Sequence, residues 1–532
     1  MVGIARARGC GTCRKRKIAC GLEQPSCAQC IKSKRVCTGY RRYPIFISHQ
    51  IPQNADSKIA ALGEPAKMER KKDGPATPSV ARKTGPPWDV GSFHQAASLC
   101  PPGRHVNATP AIRQQLLQEF LHHHLPNEEI GMPRRRIWLL RLPELPHMIP
   151  ALEMSAMALC LAKLGEVHCD QALIHESLKL YNHGLRQLQT ALWDPRLMFD
   201  DQTLAACITL AGYELSQCPN NSKEAYISHT VGCQTLVKLR GPEAHAHGLA
   251  HQIFVHFRAQ GILYALDKRE PTFLSEPVWR EVPWRYETKT FFDKVYDLLA
   301  FAPEFLSQAR LFDDLDIDGK LELALIMIPK CWDIDQELSA LWASMEKSQL
   351  GPLFWPELAK TRPDRDDSEE GMVFPVAFHF PNLSVANSAL IIWAVQTILW
   401  HGLKELYRLM SELKMAFATL DRVEEEVDPN SEMGKLRQVT KCSGDVFNLP
   451  PLEHRADFAV AARSIFQAVE FCMKDDMVDQ GPKMLAAPLK IATETLRQYP
   501  SFKREVAFGD DAMEKVQQRS LRLLMFYTGT QT

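Results

Sequence analysis

Six of the fifteen cysteines of this 532-residue chain cluster near its N-terminus, and their spacing constrains the fold more than any other feature. They form the same unit twice, in the order Cys10-x2-Cys13-x6-Cys20-x6-Cys27-x2-Cys30-x6-Cys37. No apolar run of seven or more residues precedes them, so a secretory signal is not expected and a disulfide framework is disfavoured. Clustered thiols in such a chain predict a metal site.

The number of cysteines restricts the metal stoichiometry. Zinc takes four tetrahedral ligands, and thiolates are good ligands for it. One zinc would leave two cysteines over, and two separate zincs would need eight. Two zincs that share two bridging thiolates need six, so the duplicated unit makes a symmetric two-metal cluster the simplest prediction.

Charge is as unevenly distributed as cysteine. The whole chain has 63 basic and 63 acidic residues, yet residues 1–42 hold eleven Lys or Arg against one acid, Glu23. The body from residue 111 onward is correspondingly acidic. A basic head on an acidic body predicts an anionic polymer as the partner of the head.

Residues 10–37 resemble the Zn2Cys6 binuclear-cluster DNA-binding domain of fungal transcription regulators. The resemblance rests on the six cysteines, on the basic run Arg14-Lys15-Arg16-Lys17-Ile18 and on Pro25, two residues before the fourth cysteine. One position departs from the pattern: Gly21 stands where the family commonly has Asp. That change concerns the rigidity of the loop and not the metal ligands.

The resemblance implies two zinc ions per chain and a role for each cysteine. Cys10 and Cys27 would bridge the metals, Cys13 and Cys20 would complete one site, and Cys30 and Cys37 would complete the other. It also implies a short helix at each CxxC pair, 13–18 and 30–35, related by a pseudo-twofold axis.

The resemblance further implies how the domain reads DNA. The first helix would approach the major groove, and Lys17 would read a CGG-type triplet, since lysine can donate to the O6 and N7 acceptors that guanine presents there. The other basic residues would contact mainly phosphates. These are Arg14, Lys15, Arg16, Lys32, Lys34 and Arg35.

Residues 43–110 contain ten prolines, which exclude long helices and predict a disordered, flexible, basic linker. Two basic clusters in it, Arg70-Lys71-Lys72 and Arg82-Lys83, resemble a bipartite import signal and predict a nuclear protein. The longest proline-free stretch, 88–100, is too short for the three or four heptads of a coiled coil. We therefore expect a monomer on DNA, or a dimer formed through the body.

From residue 111 onward, apolar residues recur at helical spacing and predict one large all-α domain over 111–532. Within it, the segments from Gly232 to Pro242 and from Gly248 to Asp267 resemble the helical regulatory domain that follows such clusters. The apolar run from Ala389 to Trp400 is too short for a membrane span and predicts a core helix of a soluble protein. Helices are expected near 111–125, 148–164, 171–192, 201–217, 222–240, 249–268, 321–346, 384–420, 455–475 and 485–497.

The remaining signals in the body are weak. Asp314-x-Asp316-x-Asp318-Gly319 begins like a calcium loop, but Leu325 stands where a bidentate Glu is required, so we reject it. The histidines near His251 are expected to be structural, and the His122–His124 run is expected to favour the dipole at a helix end. The acidic segments 364–370 and 421–426 are expected to be solvated loops.

The chain contains no P-loop, no GxGxxG after a strand and no GxSxG, so we expect no enzymatic activity. The sequence predicts a zinc-dependent, sequence-specific regulator of RNA polymerase II genes that binds double-stranded DNA and the transcription machinery or co-regulators, with no membrane association. Two alternatives stay open. One is a zinc module that acts mainly through protein partners, and the other is an enzyme body that the cluster targets.

Overall fold

The structure is a computed structural model, and it describes selected residues of the N-terminal segment and most of the body. The described N-terminal residues are Thr12, Cys13, Arg16, Ile18, Cys20, 27–33, Arg35 and Cys37; the described body residues are 109–126, 137–217, 222–360, 371–420 and 447–520. Outside them lie Cys10, Arg14, Lys15, Lys17, Lys34, almost all of the predicted linker and both acidic segments.

The chain divides into two units, Met1–Ile47 and Ser48–Thr532. In the first unit the described helix is α1 (Ala28–Lys32). In the second unit the α-helices are α2 (Thr109–His124), α3 (Pro150–Val167), α4 (Gln171–Trp193), α5 (Asp201–Gln217), α6 (Glu224–Arg240), α7 (Gly248–Lys268), α8 (Pro277–Glu281), α9 (Phe291–Leu299), α10 (Ala302–Leu311), α11 (Ile317–Ser348), α12 (Leu383–Leu420), α13 (Ala459–Gln467), α14 (Val469–Cys472), α15 (Gln480–Arg497) and α16 (Lys503–Ser520).

The largely helical body confirms the predicted fold class. The expected helices at 171–192 and 201–217 correspond to α4 and α5 almost residue for residue. The expected helix at 455–475 is wrong in its extent, because the chain forms two short helices there, α13 and α14. The expected helix at 485–497 begins earlier, at Gln480, because Pro482 lies in its first turn, where proline is tolerated.

A small sheet departs from the purely helical prediction. Strand β1 (Trp355–Leu358) pairs antiparallel with β2 (Val376–His379), so that Trp355 faces His379 and Leu358 faces Val376. The amide of Gln467 on α13 donates to the carbonyl of Val376 at 3.2 Å, which anchors the strand pair to the helices. β2 alternates half-buried and buried residues, whereas β1 is mostly exposed, and four residues in each strand are too few for a clear period-two pattern in the sequence.

The core of the body is formed where α3 packs against α2, α4 and α5, and where α12 packs against α9, α11, α13 and α15. Among the described residues, α12 contains a helix that is apolar enough to cross a membrane, Leu383–Met415. Its most apolar window is 83% buried by the rest of the protein. This burial agrees with the prediction of a core helix.

The histidines at the end of α2 correct one expectation. His124 does not interact with the helix dipole as an exposed cation, because it is 7% exposed and its Nδ1 lies 3.1 Å from the Asp479 carboxylate. Burial, reinforced by the charge of Lys483, lowers the pKa of His124 to about 4. His124 is therefore neutral at pH 7.

Buried histidines make the stability of the body depend on pH. Burial lowers the pKa of His124, His229 and His245 to about 4, from an ordinary value near 6.5. Between those pH values the unfolded chain binds more protons, so the stability present above pH 6.5 is lost as the pH falls toward 4. At pH 5 each histidine lowers the free energy of unfolding by about 2 kcal/mol, because the fall is about 1.4 kcal/mol for each pH unit below 6.5.

One buried carboxyl acts in the opposite direction. Burial raises the pKa of Glu214 to about 7, so its protonation below pH 7 favours the folded state and offsets about one histidine. We therefore expect the urea midpoint of the helical far-UV signal to be lower at pH 5 than at pH 7. The urea midpoint of the His229→Leu variant should fall less between pH 7 and pH 5 than that of the unmodified protein. Equal midpoints of the unmodified protein at pH 7 and pH 5 would contradict this assignment.

Candidate metal centre and nucleic-acid interface

The second CxxC pair lies at the start of α1. The Cys27 carbonyl accepts hydrogen bonds from the backbone N–H groups of Cys30 and Ile31, at 3.0 and 3.1 Å. The helix therefore begins directly after Cys27 and contains Cys30, rather than running over 30–35 as expected. This start places both sulfurs of the pair within one helical turn of each other.

The duplicated sequence unit is also a duplicated backbone geometry. The N–H of Ile18 donates to the carbonyl of Cys13 at 3.2 Å, and the N–H of Arg35 donates to the carbonyl of Cys30 at 3.0 Å. The two bonds occupy equivalent positions in the two units. They turn the chain in the same way after the second cysteine of each pair, as a pseudo-twofold arrangement requires.

A side-chain hydrogen bond joins the two units at equivalent positions. Arg16 and Ser33 are 17 residues apart, the same offset as between the cysteine units, and Arg16 Nη1 donates to Ser33 Oγ at 3.0 Å. The Ser33 hydroxyl in turn donates to the carbonyl of Gln29 at 2.7 Å at the end of α1. No sequence motif pointed to Ser33, although its 17-residue offset from Arg16 matches the repeat of the cysteine units.

The described cysteines form two groups that share one member. The sulfurs of Cys13, Cys20 and Cys27 lie within 4.8 Å of one another, and so do those of Cys27, Cys30 and Cys37. The Sγ atoms of Cys13 and Cys27 are 3.6 Å apart. Cys27 is thus the sulfur common to both groups, and Cys10 lies outside the described residues.

The chemistry of this donor set fits zinc. Cys13, Cys27 and Cys30 are fully buried, and Cys20 and Cys37 pack against them as half-buried residues. Thiolates brought this close repel one another unless a cation lies between them, and soft sulfur ligands in tetrahedral groups select zinc. No oxygen or nitrogen ligand is needed to complete either group if both share a further thiolate.

The described basic residues of the N-terminal unit, Met1–Ile47, lie at its surface. Arg16, Lys32 and Arg35 are exposed, and Lys32 is in the last turn of α1, where a cation complements the helix dipole. Ile18 and Ile31 are also exposed, 40% and 65% respectively, so this surface is not exclusively charged. The structure does not describe Arg14, Lys15, Lys17 and Lys34, and their roles stay predictions.

Residues 8–44 match the family model of the fungal Zn(2)-Cys(6) binuclear cluster domain. This match and the two sulfur groups agree on two zinc ions per chain. The matched residues are a small part of the chain, so they establish the domain and leave the body unassigned. No solved structure was found to match the chain.

Two curated proteins are similar to parts of the chain. An uncharacterised protein of Emericella nidulans is 30% identical over 201 residues, which are 38% of this chain and 39% of that protein. An uncharacterised transcriptional regulatory protein of Schizosaccharomyces pombe is 58% identical over 63 residues, 11% of each chain. The similarity therefore spans less than half the length of either relative.

Proposed function

We propose that this chain, whose residues 8–44 form a fungal Zn(2)-Cys(6) binuclear cluster domain that binds two zinc ions, is a nuclear transcription regulator that recognises DNA through that domain. The observation that carries the proposal is the pair of sulfur groups sharing Cys27, beside an exposed basic surface. The similarity to a transcriptional regulatory protein of fission yeast supports the same conclusion.

In this proposal the metals are structural. Cys27 and Cys10 would serve both zincs, Cys13 and Cys20 would hold one of them, and Cys30 and Cys37 would hold the other. Bound zinc supplies the folding free energy that so short a segment cannot gain from an apolar core. The protein contributes the spacing of the sulfurs and the hydrogen bond between Arg16 and Ser33, which fixes the first cysteine repeat against the second.

DNA recognition divides into two kinds of contact. Lys17 reads guanine in a CGG-type triplet through the major groove, where O6 and N7 are presented together. The basic residues around it bind phosphates, which gives affinity but little sequence preference. Arg16, Lys32 and Arg35 support this division, since all three are exposed and available to a polyanion.

The body serves regulation in this proposal. Its helices provide surfaces for the transcription machinery or co-regulators, and any pairing of chains occurs through them rather than through a linker coiled coil. Binding to DNA as a monomer follows from the proline content of residues 43–110. RNA polymerase II genes are the targets we infer from the fungal class of the domain.

The roles of the basic residues can be separated by two substitutions. Lys17→Ala is expected to cost about 1–3 kcal/mol on DNA with the preferred triplet, and to relax the preference at one guanine step. Arg14→Ala is expected to weaken binding to all sequences alike. Fluorescence anisotropy with a preferred and a scrambled duplex, at fixed salt concentration, measures both.

The two variants control for each other, because both remove one positive charge from the same basic run. If Lys17→Ala and Arg14→Ala reduce affinity equally on both duplexes, Lys17 does not read a base. If neither changes affinity, the proposal that this surface binds DNA is wrong.

A further inference from the structure

The body contains a cavity of about 1380 Å³, which is large for a single ligand pocket. Residues of α7, α12 and α15 line it, and much of its wall is apolar. Side chains that form this wall include Ile208, Val255, Leu263, Ile391, Ile398 and Met484. An apolar wall alone would suit any hydrophobic molecule, so the polar groups that line the cavity decide which class of ligand it binds.

The most informative polar group is the ammonium of Lys483, in the second turn of α15. Lys483 lines the cavity, and burial lowers the pKa of this lysine. Among the residues that the structure describes, no acceptor lies within hydrogen-bond or ion-pair distance of its Nζ. The Lys483 side chain is half-buried, so a molecule in the cavity can reach its ammonium, and the partner open to this charge is water or an anion that enters the cavity.

The acidic groups near Lys483 already have partners. Asp479 accepts from Lys163 Nζ at 2.7 Å and lies 3.1 Å from the His124 ring nitrogen. Although burial would raise its pKa, the hydrogen bond with His124 and the charges of Lys483 and Lys163 hold the pKa of Asp479 well below its usual range. Glu166 accepts from the Gln217 amide at 2.7 Å. Both carboxylates act on Lys483 only at longer range.

A second polar group lies beside Lys483. His256 on α7 lines the same cavity and is accessible from it, and desolvation by the surrounding protein, reinforced by the charge of Lys483, lowers the pKa of His256 to about 4. Its ring is therefore neutral and still carries one N–H donor at pH 7. The Trp138 ring packs edge-on at 6.2 Å, and within the described structure the ring nitrogens of His256 make no hydrogen bond.

We propose that this cavity is a binding site for an organic carboxylate with an extended apolar portion. The carboxylate pairs with the Lys483 ammonium and accepts a hydrogen bond from His256, while the apolar portion lies along the wall formed by α7, α12 and α15. This site goes beyond the DNA-binding function and does not depend on it, so its test uses no DNA.

The affinity of the full-length protein for two probes tests the site. The probes are 11-(dansylamino)undecanoate and its uncharged primary amide, titrated by fluorescence. The carboxylate probe should bind at least about tenfold more tightly than the amide probe, because only the carboxylate forms a charge-assisted contact with the Lys483 ammonium. Lys483→Met should abolish this preference, because it weakens binding of the carboxylate probe and leaves binding of the amide probe unchanged. His256→Phe should weaken the carboxylate by a smaller factor.

Lys490 provides a matched control on the same helix. It also borders the cavity, but its Nζ is paired with Asp267 at 3.0 Å, so Lys490→Met should keep the preference for the carboxylate. In the absence of probe, Lys483→Met should melt no lower than the unmodified protein, because the half-buried Lys483 ammonium makes no direct ion pair that the substitution would remove. Failure of that variant to fold would overturn the proposal, as would absent binding, equal binding of both probes, or a preference that survives in Lys483→Met.

Discussion

Replacement of Cys27 by alanine is expected to remove both zinc ions and to unfold the N-terminal unit. The reason is that the Cys27 sulfur belongs to both groups of thiols, so neither metal keeps its full set of ligands without it. Structural zinc contributes about 10 kcal/mol or more of folding free energy, and nothing else in this unit is of comparable size. DNA binding should fall to the level of an unfolded basic segment.

Native mass spectrometry of the full chain measures this effect directly. The unmodified protein should carry two zincs, and Cys27→Ala should carry none. Cys169→Ala is the matched control, because Cys169 is an exposed cysteine of the body outside both sulfur groups, and it should retain both zincs. A variant at Cys27 that keeps one firmly bound zinc would show that its sulfur does not serve both metals.

Asp335→Ala is expected to destabilise the body more than any substitution of a surface charge. Asp335 is 1% exposed, and its two oxygens accept hydrogen bonds of 2.6 Å from Trp400 Nε1 and Arg455 Nε. Its removal leaves a mostly buried guanidinium with only the exposed Glu453 carboxylate, 3.8 Å away, as an ionic partner, which costs about 3–5 kcal/mol. The Arg455 guanidinium stacks on Trp332 at 4.7 Å, a contact that cannot replace a carboxylate.

Thermal melting followed by circular dichroism measures the loss. Glu144→Ala is the control, because Glu144 makes a similar ion pair with Arg141 at 2.9 Å on the surface. An exposed pair contributes about 0–1 kcal/mol, so this variant should melt close to the unmodified protein. If both variants melt alike, the buried pair does not stabilise the body as its burial indicates.

The metal centre was predictable because its information is local. Ligand identity, ligand count and the repeated spacing between Cys10 and Cys37 were enough to predict two metals, and family resemblance added the roles. What the sequence did not reveal was the hydrogen bond between Arg16 and Ser33. That contact depends on how the two units face each other, which is a property of the folded cluster.

Most of the long helices were predictable from repeated apolar spacing, but α8, α10 and the 18-residue α16 were not among the expected helices. The short α9 was missed although Thr290 and Asp293 form a capping box at its start, a signal that was present in the sequence. The strand pair was missed because four-residue strands give too little periodicity to recognise. Lys483 and His256 lie on helices far apart along the chain and line one cavity only in the folded body, so no local pattern could have predicted the cavity.

Selection of bound duplexes from a random DNA pool tests the central claim most directly. The zinc-loaded full chain is incubated with the pool at a fixed salt concentration, with and without a strong zinc chelator, and the recovered duplexes are sequenced. A CGG-type triplet should be enriched with zinc, and the enrichment should disappear with chelator. Recovery of unselective DNA under both conditions, or enrichment that the chelator leaves unchanged, would contradict a zinc-dependent, sequence-specific regulator.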